Sequence, residues 1–225
     1  MNRRELLGAA AFGPLLMGAL DGGSAASPTT HVVKPLPFDP TKLKGLSEKL
    51  LSSHHDNNYA GAVKNLLKVE EELARLKPDA LGPLVSGLRE RALQFHNSMT
   101  LHEAYFGNLG GDGKPSGALL KALPGNWEES LRATALSLSG GSGWASISLH
   151  FATGELLIGW SGNHTQSHSA ALPLLVLDMY EHSYALDYGA AAAKYVDAFF
   201  ANLKWDEVER RYEAGRAALK AWGTP

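Results

Sequence analysis

The stretch Leu172–Tyr184 constrains the fold of this 225-residue chain more than any other part of its sequence. Its apolar run, Leu174–Leu177, is typical of a short strand buried on both faces of a sheet. The run ends in Asp178, and His182 follows four residues later. A buried carboxylate is unfavourable unless an ion pair or a metal ion compensates its charge. The spacing leaves two interpretations open: a pair of metal ligands, or an ion pair satisfied within the core.

Residues 1–26 have the pattern of an export signal. Arg3 and Arg4 precede an apolar segment rich in small residues, which runs from Leu6 to Leu20 and is followed by GGSAAS. The paired arginines resemble a twin-arginine signal. The apolar part is shorter than the roughly 20 residues that span a bilayer, so we favour cleavage over the alternative of a retained anchor. We therefore expect a periplasmic or secreted protein with no stable membrane association after cleavage.

Composition narrows the chemistry that this chain can support. The sequence has no cysteine and a formal net charge of −2. Disulfides and cysteine-ligated metals are thereby excluded, so any metal site must use His, Asp and Glu side chains. The basic residues are scattered, which argues against nucleic-acid binding. No phosphate-binding glycine loop or G-x-S-x-G motif is present.

We predict three segments after the signal. Residues 27–41 contain four prolines and should form an extended arm. Residues 42–109 should form a helical hairpin, with one helix from about Lys42 to Pro78, interrupted near residues 52–53 or continuous, and a second from about Leu84 to Phe106. Residues 110–225 follow a glycine-rich connection and should form an α/β domain. Its expected elements are helices at 115–123, 127–138, 190–203 and 206–222, and strands at 144–151, 155–160 and 174–177.

Two histidines lie on the apolar faces of the predicted hairpin, His54 on the first helix and His102 on the second. One such histidine alone is more often a hydrogen-bonded core residue than a ligand. Two that face one interior, together with Asp178 and His182, favour a shared site over separate core roles.

Three segments resemble one family, the iron/manganese superoxide dismutases. Residues 178–184 read DMYEHSY, similar to the family signature D-x-W-E-H-A-Y. Residues 141–144 (GSGW) and 101–106 (LHEAYF) resemble two further family segments, and the likeness extends from residue 36 to the final helices. The resemblance implies an α+β fold, with an N-terminal helical hairpin followed by an α/β domain that holds a three-stranded antiparallel sheet.

The same resemblance implies a function. His54, His102, Asp178 and His182 would bind one iron or manganese ion per subunit, and superoxide would be the substrate. Three imidazoles and one carboxylate suit either metal. The family also implies a homodimer or a tetramer of this chain.

Further roles follow from the resemblance. His164 would hold or move a proton beside the metal, and Tyr105 is a second candidate for a catalytic role without metal ligation. Trp144 and Tyr180 would join Tyr105 in an aromatic wall that limits the access of water. Glu181 would reach across a dimer interface to the ligand histidine of the other subunit.

The first helix departs from the family pattern. Where the family has a histidine and a tyrosine near the metal, the gapless alignment places Asn58 and Ala62. The tyrosine that pairs with that histidine across the interface is also absent, since Ala185 stands there. A shifted alignment that uses Tyr59 instead would put Leu51 at the first ligand position, and we reject it. We therefore predict a working but atypical dismutase; the alternative is a non-enzymatic, exported metal-binding or interaction protein on the same scaffold.

Overall fold

Three antiparallel strands position the buried carboxylate. The computed structural model describes residues 31–222, so the export signal predicted for residues 1–26 lies outside the described residues. The strands are β1 (Trp144–His150), β2 (Leu156–Ser161) and β3 (Ala171–Asp178), in the order β2-β1-β3. In this register Trp144 lies opposite both Asp178 of β3 and Ser161 of β2. One end of the sheet therefore gathers Trp144, Asp178 and the loop that follows β2.

The prediction of a buried strand at Leu174–Leu177 is confirmed. All four side chains are fully buried, and the strand extends to Asp178. Pro173 is tolerated near its start because β3 is an edge strand, where a missing N–H need not break the sheet ladder. The apolar run thus carries the aspartate into the core.

The α+β class is also confirmed, with helices before and after the sheet. The described α-helices are α1 (Glu48–Ser53), α2 (Ala60–Ala74), α3 (Gly82–Gly107), α4 (Gly117–Ala122), α5 (Trp127–Leu136), α6 (Ala185–Tyr188), α7 (Ala192–Ala201) and α8 (Trp205–Trp222). None of these helices within residues 31–222 combines the length and apolar character needed to cross a membrane.

The first long helix begins and ends inside its predicted bounds, and of the two alternatives for its middle the continuous one is found. It begins at Glu48 because the Ser47 hydroxyl accepts a hydrogen bond from the Leu50 N–H, at 3.0 Å, and so caps the helix. Lys42 instead ends a separate 3₁₀ turn that starts at Pro40. Between α1 and α2 the chain forms a π-helical turn, His54–Tyr59, so the path from residue 48 to residue 74 widens rather than breaks.

The end of α3 is tied to the sheet. The Asn108 side-chain oxygen accepts the Val176 N–H at 2.8 Å. Arg211 of α8 donates to the carbonyl oxygens of Leu174 (3.0 Å) and Ala104 (3.1 Å), and its guanidinium fills the space where a side chain at Gly107 would lie. These bonds fix the helix that carries His102 against the strand that carries the aspartate.

The described residues pack as one compact unit. The boundary proposed near residue 110 therefore stays a prediction about domain organisation. The helix predicted at 190–203 begins two residues later, at Ala192, and the short α6 precedes it.

Candidate metal centre

Three histidine side chains converge on one oxygen of a buried carboxylate. The Nε2 atoms of His54, His102 and His182 lie 3.1, 3.6 and 3.3 Å from Asp178 Oδ2. One ligand atom from each of the four residues can be chosen so that all lie within 4.8 Å of one another. The structure therefore brings together the four residues that the sequence singled out.

His54 opens the π-helical turn and points into the core. Its side chain is 1% exposed, between the rings of Tyr105 (5.1 Å between centroids) and Phe106 (5.0 Å). Its Nδ1 is buried and has no hydrogen-bond partner among the described residues. π-Helical turns are rare and often coincide with functional sites.

His102 is held in one tautomer by its own helix. Its Nδ1–H donates to the Ser98 carbonyl oxygen, one turn earlier in α3, at 2.7 Å. The neutral ring therefore keeps the lone pair on Nε2, which faces the aspartate. That Nε2 is buried without a hydrogen-bond partner among the described residues. A backbone acceptor on the outer ring nitrogen is the usual arrangement for a metal-ligating histidine.

The two carboxylate oxygens of Asp178 have different hydrogen-bond partners. Its Oδ1 accepts the Tyr180 N–H at 2.8 Å, which leaves Oδ2 to the three imidazoles. A 3₁₀ turn, Glu181–Ser183, then brings His182 back towards Oδ2. The main-chain carbonyl of Asp178 accepts the Tyr195 hydroxyl at 2.7 Å, which anchors the end of the strand.

Burial sets the charge state of the cluster. It lowers the pKa of His54, and it lowers that of His102 to about 3, with the neighbouring imidazole as a further cause. Burial by itself would raise the pKa of Asp178, but hydrogen bonds from His182 and His54 outweigh it and hold that pKa well below its usual range. At neutral pH the buried pair of imidazoles is neutral, and the carboxylate is ionised.

These residues fit a single iron or manganese ion. Nitrogen lone pairs and one carboxylate form a donor set suited to either metal. The two unpartnered buried nitrogens, on His54 and His102, are unfavourable without a partner, and so is the enclosed charge of Asp178. A cation held by His54, His102, Asp178 and His182 would compensate the charge and would satisfy the His102 nitrogen.

His164, Trp144 and Tyr180 line one side of the cluster together. The Trp144 indole N–H donates to His164 Nδ1 at 3.0 Å, so the neutral His164 ring carries its proton on Nε2. The His164 ring stacks on Tyr180 at 4.7 Å between centroids, and Trp144 meets His102 edge-on at 5.1 Å. Burial lowers the pKa of His164, which keeps the ring neutral at pH 7.

Tyr105 lies elsewhere than the predicted aromatic wall. Its ring packs against His54 and lies parallel to Phe199, 5.8 Å away. Its hydroxyl is 3.2 Å from that of Tyr195, the residue that holds the Asp178 carbonyl. Tyr195 was not predicted from the sequence, although a tyrosine on an apolar helix face usually needs a partner for its hydroxyl when buried.

Glu181, Asn58 and Ala62 differ in their exposure to solvent. Glu181 is exposed, and its carboxylate has no partner within residues 31–222, so its role at an interface stays a prediction. Ala62 is buried and Asn58 is half-buried. The cluster forms around His54, while Leu51 is fully buried in the apolar core, which supports rejection of the shifted alignment.

Comparisons with known proteins agree with this geometry. The C-terminal domain of iron/manganese superoxide dismutases matches residues 124–211. A superoxide dismutase [Fe] of Cupriavidus metallidurans is 43% identical over 192 residues, covering 82% of this chain and 97% of the relative. One from Aquifex aeolicus, also superoxide dismutase [Fe], is 31% identical over 207 residues (85% and 96%), and superoxide dismutase [Mn] 1 of Halobacterium salinarum is 32% identical over 194 residues (81% and 95%). The chain belongs to the iron/manganese superoxide dismutase family.

Proposed function

We propose that this chain is a superoxide dismutase, which converts two superoxide ions and two protons into dioxygen and hydrogen peroxide at one iron or manganese ion per subunit. The observation that carries the proposal is the convergence of three imidazole nitrogens on one buried carboxylate oxygen, in a member of this family. His54, His102, Asp178 and His182 would hold the ion. When bound, the ion supplies a redox couple that takes an electron from one superoxide and gives one to the next.

The chain itself must manage the protons. Peroxide formation consumes two of them, and His164 carries a proton on Nε2 because its Nδ1 accepts from Trp144. The lowered pKa keeps this ring neutral, so Nε2–H would donate a hydrogen bond to a solvent molecule beside the bound ion and orient it to pass incoming protons to peroxide. Stacking on Tyr180 fixes the ring plane. We assign His164 the role of holding a proton on Nε2 beside the bound ion, where it would position the solvent that carries protons to the site.

The residues at the two family positions on the first-helix side of the cluster are poorly suited to supply protons. Asn58 makes no side-chain hydrogen bond among the described residues, and Ala62 contributes only a methyl group. We therefore infer a working dismutase in which proton delivery depends on the His164 side alone.

Metal content and turnover test the proposal together. The mature protein, purified from its natural host, should contain about one iron or manganese ion per chain by elemental analysis. It should also remove superoxide far faster than the same amount of free metal ion, measured by inhibition of cytochrome c reduction. A fully metallated sample no faster than free metal would refute the enzymatic function. The analysis also decides between iron and manganese, since relatives of both names match this chain.

A second candidate is a non-enzymatic metal-binding or interaction protein on this scaffold. Asn58 and Ala62 favour it, because neither can move a proton near the metal. His164 with its fixed tautomer opposes it. Normal metal content with turnover no faster than free metal would select this candidate.

We propose a homodimer, or a tetramer built from such dimers. The His182 side chain remains 26% exposed although its three fellow ligands are buried or nearly so, and the neighbouring Glu181 is exposed. A second copy could cover this opening and pair with Glu181. Analytical ultracentrifugation should give a dimer or larger assembly, and Glu181→Ala should weaken it; a monomer at micromolar concentration would contradict this proposal.

We also propose export to the periplasm or the exterior, on the pattern of residues 1–26. The expected product begins after Ala25 or Ala26. N-terminal sequencing of protein from fractionated cells tests this directly, and a full-length chain in the cytoplasm would refute it.

A further inference from the structure

Lys34, in the N-terminal arm, is hydrogen-bonded to the two residues that directly follow the most buried ligand histidines. His55, next to His54, donates from Nε2 to the Lys34 carbonyl oxygen at 2.8 Å. Glu103, next to His102, accepts a short charged hydrogen bond from the Lys34 ammonium group. The two ligands face the core while their neighbours in sequence face the arm.

Tyr59 joins these contacts into one network. Its hydroxyl accepts the Lys34 backbone N–H at 3.0 Å and donates to Glu103 at 2.9 Å. Burial raises the pKa of Tyr59 to about 12, so the hydroxyl keeps the proton that it donates. The N–H, the carbonyl and the ammonium group of Lys34 are therefore all bonded to side chains from the ligand-bearing helices.

The π-helical turn makes this arrangement available. It starts at His54 and ends at Tyr59, so it contains one metal ligand and two of the three side chains that bind Lys34. The third, Glu103, comes from α3. Lys34 of the arm is thus hydrogen-bonded both to the π-helical turn and to α3.

We propose that Lys34 is a positioning residue of the metal centre, which fixes the π-helical turn relative to α3 and thereby sets the relative placement of His54 and His102. This inference rests on the proposed function, since it requires that the cluster bind an ion. Lys34 itself touches neither the ion nor the substrate; it acts through His55, Glu103 and Tyr59.

The test measures metal geometry as well as affinity. Lys34→Met and Tyr59→Phe remove different bonds of the same network, and the first changes a side chain that is 63% exposed, so it should fold. We expect each variant to bind cobalt(II) about 10-fold more weakly, as for partners that orient ligands. We also expect the visible absorption bands of bound cobalt(II), which report ligand geometry, to shift.

A matched control separates positioning from general stability. Arg132 pairs with Glu128 and Asp197 and lies over the Phe200 ring, on helices that carry no ligand. Arg132→Met should lower the melting temperature without any change in the cobalt(II) spectrum. Wild-type affinity and spectrum in both Lys34→Met and Tyr59→Phe would overturn the inference. Failure of the unmodified protein to bind cobalt(II), iron or manganese would overturn the proposed function instead.

Discussion

The two sides of the four-residue cluster differ in what surrounds the ligands. On the side formed by the sheet, His164 is hydrogen-bonded to Trp144 at 3.0 Å and stacked on Tyr180. On the side formed by the first helix, Asn58 makes no side-chain hydrogen bond among the described residues, and Ala62 offers a methyl group. Of His164, Asn58 and Ala62, only His164 carries a side-chain proton whose position is fixed by a hydrogen bond.

The difference shows that the cost of burying a charge constrains the ligands more strongly than the side chains around them. Asp178 is fully buried, so removing any imidazole that bonds to it leaves an enclosed charge less well compensated. Side chains that surround the ligands without being fully buried can be replaced together without leaving a buried charge or polar group unpaired. Asn58 is half-buried and Ala185 is exposed, so neither position holds a fully buried polar group that needs a partner.

The largest expected effect comes from the cluster itself. Asp178→Ala should reduce metal content and turnover to background, because it removes the only carboxylate of the proposed ligand set. Asp197→Ala, which changes an exposed aspartate paired with Arg132, is the control and should leave both unchanged. Elemental analysis and a superoxide-removal assay measure the outcome. Retention of one metal ion per chain in Asp178→Ala would place the ion elsewhere.

The sheet side should show the next largest effect. His164→Ala should retain its metal but lose about 10- to 100-fold in turnover, the usual range for groups that assist a metal centre. His168 lies on the same loop and is exposed, so His168→Ala is the matched control and should keep wild-type turnover. Equal turnover in the two variants would show that neither side of the cluster assists proton delivery.

Sequence reasoning could identify the ligands because their chemistry conflicts with their surroundings. An aspartate that ends a fully apolar run, and histidines on apolar helix faces, are anomalies visible in one dimension. The network around Lys34 is not visible in this way, because it joins residues far apart in sequence. The π-helical turn is also hidden, since inward-facing positions from Leu46 to Leu66 recur at multiples of four residues and are read as one ordinary helix. Tyr195 resembles an ordinary core residue until its hydroxyl is seen on the Asp178 carbonyl.

The buried histidines predict a pH dependence for the metal-free protein. The pKa of His102 is lowered to about 3 in the folded chain, against an unfolded value near 6.5, so the unfolded state binds more protons between these values. The free energy of unfolding should therefore fall by about 2 kcal/mol from pH 7 to pH 5 through this residue alone. The lowered pKa of His54 acts in the same direction.

Urea unfolding of the metal-free protein at several pH values measures this loss. His102→Gln removes the titrating group and should flatten the dependence. A free energy of unfolding that stays level between pH 7 and pH 5 in the unmodified chain would mean that these imidazoles are hydrated in the absence of metal.

The smallest expected effect lies on the first-helix side. Asn58→Ala should change turnover by less than about 2-fold and stability by less than about 0.5 kcal/mol, because no side-chain hydrogen bond is lost. His164→Ala, assayed on the same metal content, gives the scale for comparison. A loss in Asn58→Ala as large as that in His164→Ala would mean that Asn58 reaches the reacting groups through water, and the contrast between the two sides would no longer hold. A small loss would leave His164 as the residue on which proton delivery depends.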